Sequence, residues 1–277
     1  MTQRLRSMLF APGNKSELLE KFSKIQPDAA VIDLEDAVPD AEKTEARKNL
    51  QKYGSAAEGR EFALFTRVNP ISTGYFELDI QAVPPEIDGV IIPKVSSVEE
   101  LDEAQIIFSR NSVEANIVVG IETVQGVVSA SEILGNRSVV AAYFGAEDYV
   151  LDLGGVRTVG NDEVFLARSQ MGMASRMTGV PVIDQIVADF SDSKRFVKEA
   201  EQARALGFSG KLCIHPSQVH LANQSFSPSA EEIIRAEELL TAYDQAVSQG
   251  SASVVFDGQM VDEALAKQAR RVLGRSN

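Results

Sequence analysis

Glu122 and Asp148 stand in Ile121-Glu122-Thr123 and Ala146-Glu147-Asp148, each after an apolar run and with no histidine or cysteine beside it. Two carboxylates without nitrogen or sulfur donors favour a hard, oxygen-seeking cation such as Mg2+, which keeps positions for water or substrate oxygens. Such a site can chelate a carboxylate next to a hydroxyl or ketone. Each acid also precedes a helical stretch, where it could serve equally as a cap. Arg67, in Thr66-Arg67-Val68-Asn69, follows the apolar run Phe62–Phe65. Its planar fork suits a carboxylate, and its fixed charge suits an enolate oxygen. A structural ion pair with Glu35 or Asp36 is the other reading. Asp33-Leu34-Glu35-Asp36 puts three acids in four residues. Alternate side chains of a strand point to opposite sides, so these acids cannot all face one ion. Glu35 and Asp36 are read as groups holding Arg67 or metal-bound water, or else as a solvated loop.

Other residues are less specific. Phe10-Ala11-Pro12-Gly13-Asn14-Lys15 opens a helical stretch, whose first N–H groups with Lys15 and Lys21 could hold a phosphate. Pro-Gly before a helix is also an everyday turn, and no GxxxxGK[ST] run is present. His215, before Pro216, is read as a hydrogen-bonded structural residue and Cys213 as core. No GxSxG elbow supports a serine nucleophile.

Elements that bring distant residues together are legible in the hydrophobic pattern. Eight short apolar runs are predicted as strands: Ser7–Ala11, Ala29–Leu34, Phe62–Val68, Gly89–Lys94, Asn116–Glu122, Val139–Gly145, Pro181–Asp184 and Lys211–His215. Their nearly continuous Val, Ile and Phe content fits parallel strands buried on both faces. Between them lie amphipathic stretches. Asn14 before Glu17, Ser97 before Glu100 and Ser229 before Glu232 have capping-box spacing. After Ser229, residues Ile233, Ala236, Leu240, Tyr243 and Val247 recur at helical spacing. Eight strands alternating with helices predict an α/β fold, a (β/α)8 TIM barrel over residues 1–225, with a doubly wound open sheet as the competing arrangement. A C-terminal extension over 226–277, comprising a loop, the segment Val254–Asp262 and a helix ending near Leu273, is expected to close the barrel, cap its mouth or contact another subunit. In a barrel all strand C-termini open on one face, so Glu35, Asp36, Arg67, Asn69, Lys94, Glu122, Glu147, Asp148 and His215 are expected around one mouth.

Composition narrows the function classes. Among 277 residues, 27 Lys and Arg oppose 40 Asp and Glu, a net charge of −13, which disfavours nucleic-acid binding. One cysteine excludes an internal disulfide framework, and two histidines leave too few soft ligands for a structural zinc site. Met1–Gly13 lacks the apolar core of a signal peptide, and no apolar run reaches membrane-spanning length. A cytoplasmic protein is expected.

In order along the chain, Arg6-Ser7-Met8-Leu9-Phe10-Ala11-Pro12-Gly13, Asp33-Leu34-Glu35-Asp36-Ala37-Val38, Thr66-Arg67-Val68-Asn69, Ile92-Pro93-Lys94-Val95, Ile121-Glu122-Thr123, Phe144-Gly145-Ala146-Glu147-Asp148 and Ile214-His215-Pro216-Ser217-Gln218 resemble the citrate lyase beta-subunit family of acyl-CoA lyases. Met260-Val261-Asp262 extends the resemblance. It implies a TIM barrel with Mg2+ held by Glu122 and Asp148, substrate bound by Arg67 and Glu122, and coenzyme A contacts at Phe10, Lys15 and Lys21. It also implies Arg67 and Asp262 as catalytic residues, the latter as acid/base. The implied reaction is reversible cleavage of a carboxylated 3-hydroxyacyl-CoA to acetyl-CoA, or a homologue, and a 2-oxo acid. A homotrimer or trimer-based hexamer is implied, in which Asp262 would complete a neighbour's site. The alternatives are a beta subunit inactive without citrate lyase alpha and acyl-carrier partners, and a coenzyme A-independent aldolase. Related pyruvate aldolases carry a catalytic histidine after an early strand, and here the early strands end in Pro-Gly and Glu-Asp.

Overall fold

The computed structural model describes residues 4–56 and 60–276. Met1, where the stretch read as lacking a leader core begins, lies outside the described residues. Eight parallel strands close into a barrel in sequence order: β1 (Ser7–Pro12), β2 (Ala29–Asp33), β3 (Ala63–Arg67), β4 (Gly89–Ile92), β5 (Asn116–Ile121), β6 (Val139–Phe144), β7 (Val182–Asp184) and β8 (Gly210–Cys213). Pairing of β8 with β1, Leu9 opposite Cys213, completes the circle and excludes the doubly wound open sheet.

The two-residue period of the strands sorts side chains into two cores. Met8, Val31, Phe65, Val118, Ala141, Tyr143 and Leu212 pack together as one cluster. Their neighbours Leu9, Ala30, Ile32 and Leu64 join a second cluster with Leu50 and Phe196 of the surrounding helices. This burial on both faces is why the runs read as continuously apolar.

The chain divides into two compact units, Met1–Asn223 and Gln224–Asn277. In the second unit, helix Ala230–Ser248 begins with a full capping box between Ser229 and Glu232. The segment Val254–Asp262 contains an antiparallel hairpin, β9 (Val254–Phe256) and β10 (Gln259–Val261). Asp257 and Gly258 turn it, both at positive φ (49° and 73°), the geometry that two-residue hairpin turns demand. Tyr243, Val261 and Ala266 form this unit's small core.

Local start signals hold unevenly. Ser97 Oγ accepts the Glu100 N–H, but the Glu100 carboxylate takes the Ser96 N–H, so only half of a capping box forms. Asn14 does not cap: Lys15 occupies that position, and the Asn14 amide reaches Glu42 instead.

Candidate active site

Alternation along β2 and β3 turns Asp33 and Arg67 to the same side, and strand register sets them opposite each other as Cα partners. Asp33 grips the guanidinium with both oxygens, Nε–Oδ1 and Nη2–Oδ2 each 2.7 Å. This two-pronged contact fixes the plane of the fork while leaving its other donors available. Arg67 Nη1 stands 2.9 Å from Glu35 Oε2, close enough for an ion pair but without hydrogen-bond geometry, so Glu35 Oε2 is a buried oxygen lacking a hydrogen bond. Lys94 Nζ lies 2.6 Å from Glu35 Oε1, 3.4 Å from Asp36 and 3.7 Å from Asp148. Lys94 thus stands at the mouth, as expected, and neutralises its carboxylates. Its backbone sits at φ 57°, a left-handed conformation that costs a non-glycine residue about 1 kcal/mol.

Glu122, immediately after β5, is 1% exposed and points inward. The Tyr143 hydroxyl, from β6, donates to Glu122 Oε1. Two glycines clear the space. A Cβ at Gly120 would come within 2.5 Å of Glu122 Oε1 and 2.6 Å of the Tyr143 hydroxyl, and one at Gly145 within 2.7 Å of Glu122 Cγ. Burial pushes the Glu122 carboxyl up to about 8, with the Glu35 charge adding to the effect. Burial likewise raises Glu35 to about 6, against the pull of Arg67. Arg67 itself is opposed by burial, but Asp33 outweighs that and holds the guanidinium charged.

Arg67, Glu122 and Tyr143 border a cavity of about 470 Å³ at the C-terminal end of the strands. Asp33, Asp36, Arg67, Glu122 and Asp148 line one part, and Phe10, Ile186, Leu212 and Ile214 line another. Gly145, Ala146, Glu147 and Asp148 also border it, so the first turn of helix Ala146–Leu153 presents backbone N–H groups there. The cap readings of the two acids do not hold. Thr123 caps the helix after Glu122, and Gly145 caps the one containing Asp148 without any side-chain bond. A larger cleft of about 660 Å³ opens at the start of β5, near Asp88, Gln105, Glu114 and Asn116, away from this charge cluster.

The other expected residues have partners of their own. Asn69 is buried, its amide bonded to Asp79 and to the Leu34 carbonyl. His215 stacks on Phe190 at 4.6 Å and bonds Ser217, and Cys213 is fully buried core. Glu147 pairs with Arg157 at 3.0 Å. Phe10 lines the cavity, with the Arg67 guanidinium 5.1 Å from its ring centre. Lys15 and Lys21 are exposed on the segment after β1. The expected phosphate-holding helix start there is corrected. The helix is only Ser16–Leu19, while the Gly13 N–H bonds the Asp33 carbonyl and the Lys15 N–H the Pro12 carbonyl. Asp262 belongs to the second unit, where its Oδ1 accepts the N–H groups of Ala264 and Leu265 at the start of helix Glu263–Ser276. Sequence reasoning missed Tyr143, whose one signal is a phenol inside the otherwise apolar run Val139–Phe144.

The family model for HpcH/HpaI aldolase/citrate lyase matches residues 6–216, spanning the barrel and its cavity. The chain belongs to that family. Among its relatives is a citrate lyase subunit beta-like protein of Deinococcus radiodurans, 44% identical over 97% of this chain and 96% of that one. A (3S)-malyl-CoA thioesterase of Cereibacter sphaeroides is 32% identical over 98% of this chain and 94% of the relative. Among solved structures, the protein CitE of Mycobacterium tuberculosis in complex with magnesium, acetoacetate and coenzyme A superposes with a TM-score of 0.85. It is 27% identical and covers 100% of this chain and 99% of that one. The expected TIM barrel and the expected family are therefore both correct.

Proposed function

We propose that this carbon–carbon lyase is a Mg2+-dependent acyl-CoA lyase. It would reversibly cleave a citryl-, malyl- or citramalyl-type thioester to acetyl-CoA, or a homologue, and a 2-oxo acid. The observation that carries the reading is the clamped Arg67 facing the same cavity as Glu122 and Asp148. Magnesium bound in the M. tuberculosis protein supports it. The donor set here fits that ion. Both acids offer carboxylate oxygens to the cavity. Two ligands leave room for water and substrate oxygens, as Mg2+ prefers. When bound, Mg2+ would supply a fixed double charge that lowers the pKa of a nearby substrate hydroxyl.

Cleavage breaks the bond between the hydroxyl-bearing carbon and the carbon next to the thioester. The hydroxyl gives its proton to solvent water and becomes the ketone, while the bond's electron pair stays on the thioester side as an enolate. Arg67, held in one orientation by Asp33, would direct its remaining N–H donors at the enolate oxygen. The first turn of helix Ala146–Leu153 would receive the carboxylate of the 2-oxo acid. Asp262 would return a proton to the enolate carbon, or remove it in the condensing direction. Phe10, Lys15 and Lys21 would contact coenzyme A, the two exposed lysines meeting its phosphates.

The protein would work in the cytoplasm as a homotrimer or trimer-based hexamer, with a neighbour supplying Asp262. Support for self-association comes from helix Asp162–Thr178, which exposes Phe165, Leu166, Met173 and Met177 along one side. The test is to incubate the purified chain with Mg2+ and each of the three thioesters and to follow 2-oxo acid release, with an EDTA control. Metal-dependent release from any one supports the reading. Silence with folded protein overturns it in favour of a subunit that needs citrate lyase alpha and acyl-carrier partners.

A further inference from the structure

Asp148 already has a cation beside it. Lys94 Nζ lies 3.7 Å from Asp148 Oδ1 and is the one cation paired with that carboxylate among the described residues. The same ammonium donates to Glu35 Oε1 at 2.6 Å and to Asp36 Oδ2 at 3.4 Å. Strand order explains this bridging position. Lys94 follows β4, Glu35 and Asp36 follow β2, and Asp148 follows β6, so the lysine stands between acids two strands away on either side. Burial opposes its charge, but Glu35, Glu122 and Asp36 together outweigh that and keep the ammonium protonated. Its left-handed backbone, at φ 57°, is a strained conformation of the kind that clusters at binding sites.

We propose that Lys94 competes with the divalent cation for Asp148, so that metal entry shifts the ammonium wholly onto Glu35 and Asp36 and its charge keeps metal affinity low. The inference rests on Glu122 and Asp148 as the ligands in the reading above and adds a residue that tunes them, whichever thioester is cleaved. Asp148 is the weakest of the ammonium's three contacts, an ion pair without a hydrogen bond, so releasing it costs Lys94 little. Retreat into bulk water is closed to the lysine, because Glu35 is buried and would lose its hydrogen-bond donor. The ammonium therefore stays close to the bound metal and repels it. At the effective dielectric of a protein surface, one unit charge about 4 Å from another shifts an equilibrium by well over tenfold. A metal held against that repulsion exchanges readily with solution.

The test measures Mg2+ binding by calorimetry for the parent chain, Lys94→Met and Lys94→Arg. It is run at about pH 8.5, above the value of about 8 to which burial raises Glu122, so that protons compete little with the metal. Lys94→Met keeps the aliphatic stem and loses the charge, and it should bind Mg2+ at least about tenfold more tightly than the parent. Lys94→Arg keeps the charge and should stay close to the parent. A merely structural role predicts the opposite sign, because a displaced Glu35 would disturb the mouth and weaken the site. Equal or weaker binding by folded Lys94→Met, or an equal gain in Lys94→Arg, overturns the inference. Lys94→Gln takes the place of Lys94→Met should the latter fail to fold, with the same expected gain. Asp148→Asn tests the ligand reading separately. Unchanged Mg2+ affinity in that variant removes Asp148 from the metal site and the inference with it, as does a failure of every chain to bind Mg2+. Loss of binding in Asp148→Asn without a gain in Lys94→Met overturns the inference alone and leaves the lyase reading standing.

Discussion

Tyr143 and Glu122 lie on adjacent strand ends, and the phenol hydroxyl donates to Glu122 Oε1 inside the barrel. One carboxylate oxygen is thereby held while the other remains for the cavity, and the ring is braced edge-on against Phe10 at 6.1 Å. Partners that orient a ligand commonly govern 10–100-fold in metal affinity. Tyr143→Phe should weaken Mn2+ binding, followed by electron paramagnetic resonance, by about tenfold with the fold retained. Unchanged affinity would show that Glu122 needs no such support.

Gly120 is the space that this pair occupies. Gly120→Ala places a methyl 2.5 Å from Glu122 Oε1 and 2.6 Å from the Tyr143 hydroxyl, so both must move. Such overpacking costs about 1–3 kcal/mol. Thermal unfolding should record that loss, and activity should fall further than Tyr143→Phe alone produces. The control is Gly74→Ala, where a Cβ meets nothing within 4 Å.

Substitutions of the charged groups separate binding from proton transfer. Glu122→Gln, Asp148→Asn and Arg67→Ala should each abolish cleavage while circular dichroism shows an intact barrel. Retained activity in all three would remove this site from the reaction. Asp262→Asn should slow proton exchange at the acetyl-CoA methyl group with Mg2+ binding unchanged, and a wild-type exchange rate would exclude Asp262 from that role.

Stability of the metal-free protein should fall as pH rises from about 5 to 8. Glu35 is lifted to about 6 and Glu122 to about 8, both chiefly by burial, whereas an unfolded glutamate titrates near 4.3. The folded state therefore holds protons that the unfolded state has released, and this contribution is lost as pH climbs through the folded values. Urea midpoints across this range should decline less steeply for Glu122→Gln than for the parent chain.

A second buried charge cluster supports the barrel wall at β7 and β8. Lys211 Nζ lies 2.7 Å from Asp184 and 3.6 Å from Glu199, and Arg168 grips Asp184 at 2.9 and 3.0 Å. Lys211→Met removes the buried cation that bridges Asp184 and Glu199 and leaves them to Arg168 and Arg195 alone, and breaking a buried ion pair of this kind costs about 3–5 kcal/mol. Denaturant unfolding should report a loss of that size, and a change below about 1 kcal/mol would mean that the network relaxes around the gap.

Period-two burial and helix start signals are properties of neighbouring residues, so they were legible in the chain. The eight apolar runs, the Ser229–Glu232 box and the clustering of polar residues at run ends all came from the sequence alone. The family resemblance assigned Arg67, Glu122 and Asp148 to one site, while residue types by themselves left helix caps and simple ion pairs equally open. Failures arose where a residue had competing partners nearby. Asn14 found Glu42 across 28 positions, and Gly13 gave its N–H to Asp33, so the expected phosphate-holding turn closed on itself. Closure of the barrel and strand register decided the rest. They matched Asp33 to Arg67, set Tyr143 beside Glu122 in the space left by Gly120, and turned Phe10, Ile186, Leu212 and Ile214 toward the same cavity. None of these pairings has a sequence spacing that announces it, because each depends on which strand ends become neighbours once the sheet has curled onto itself.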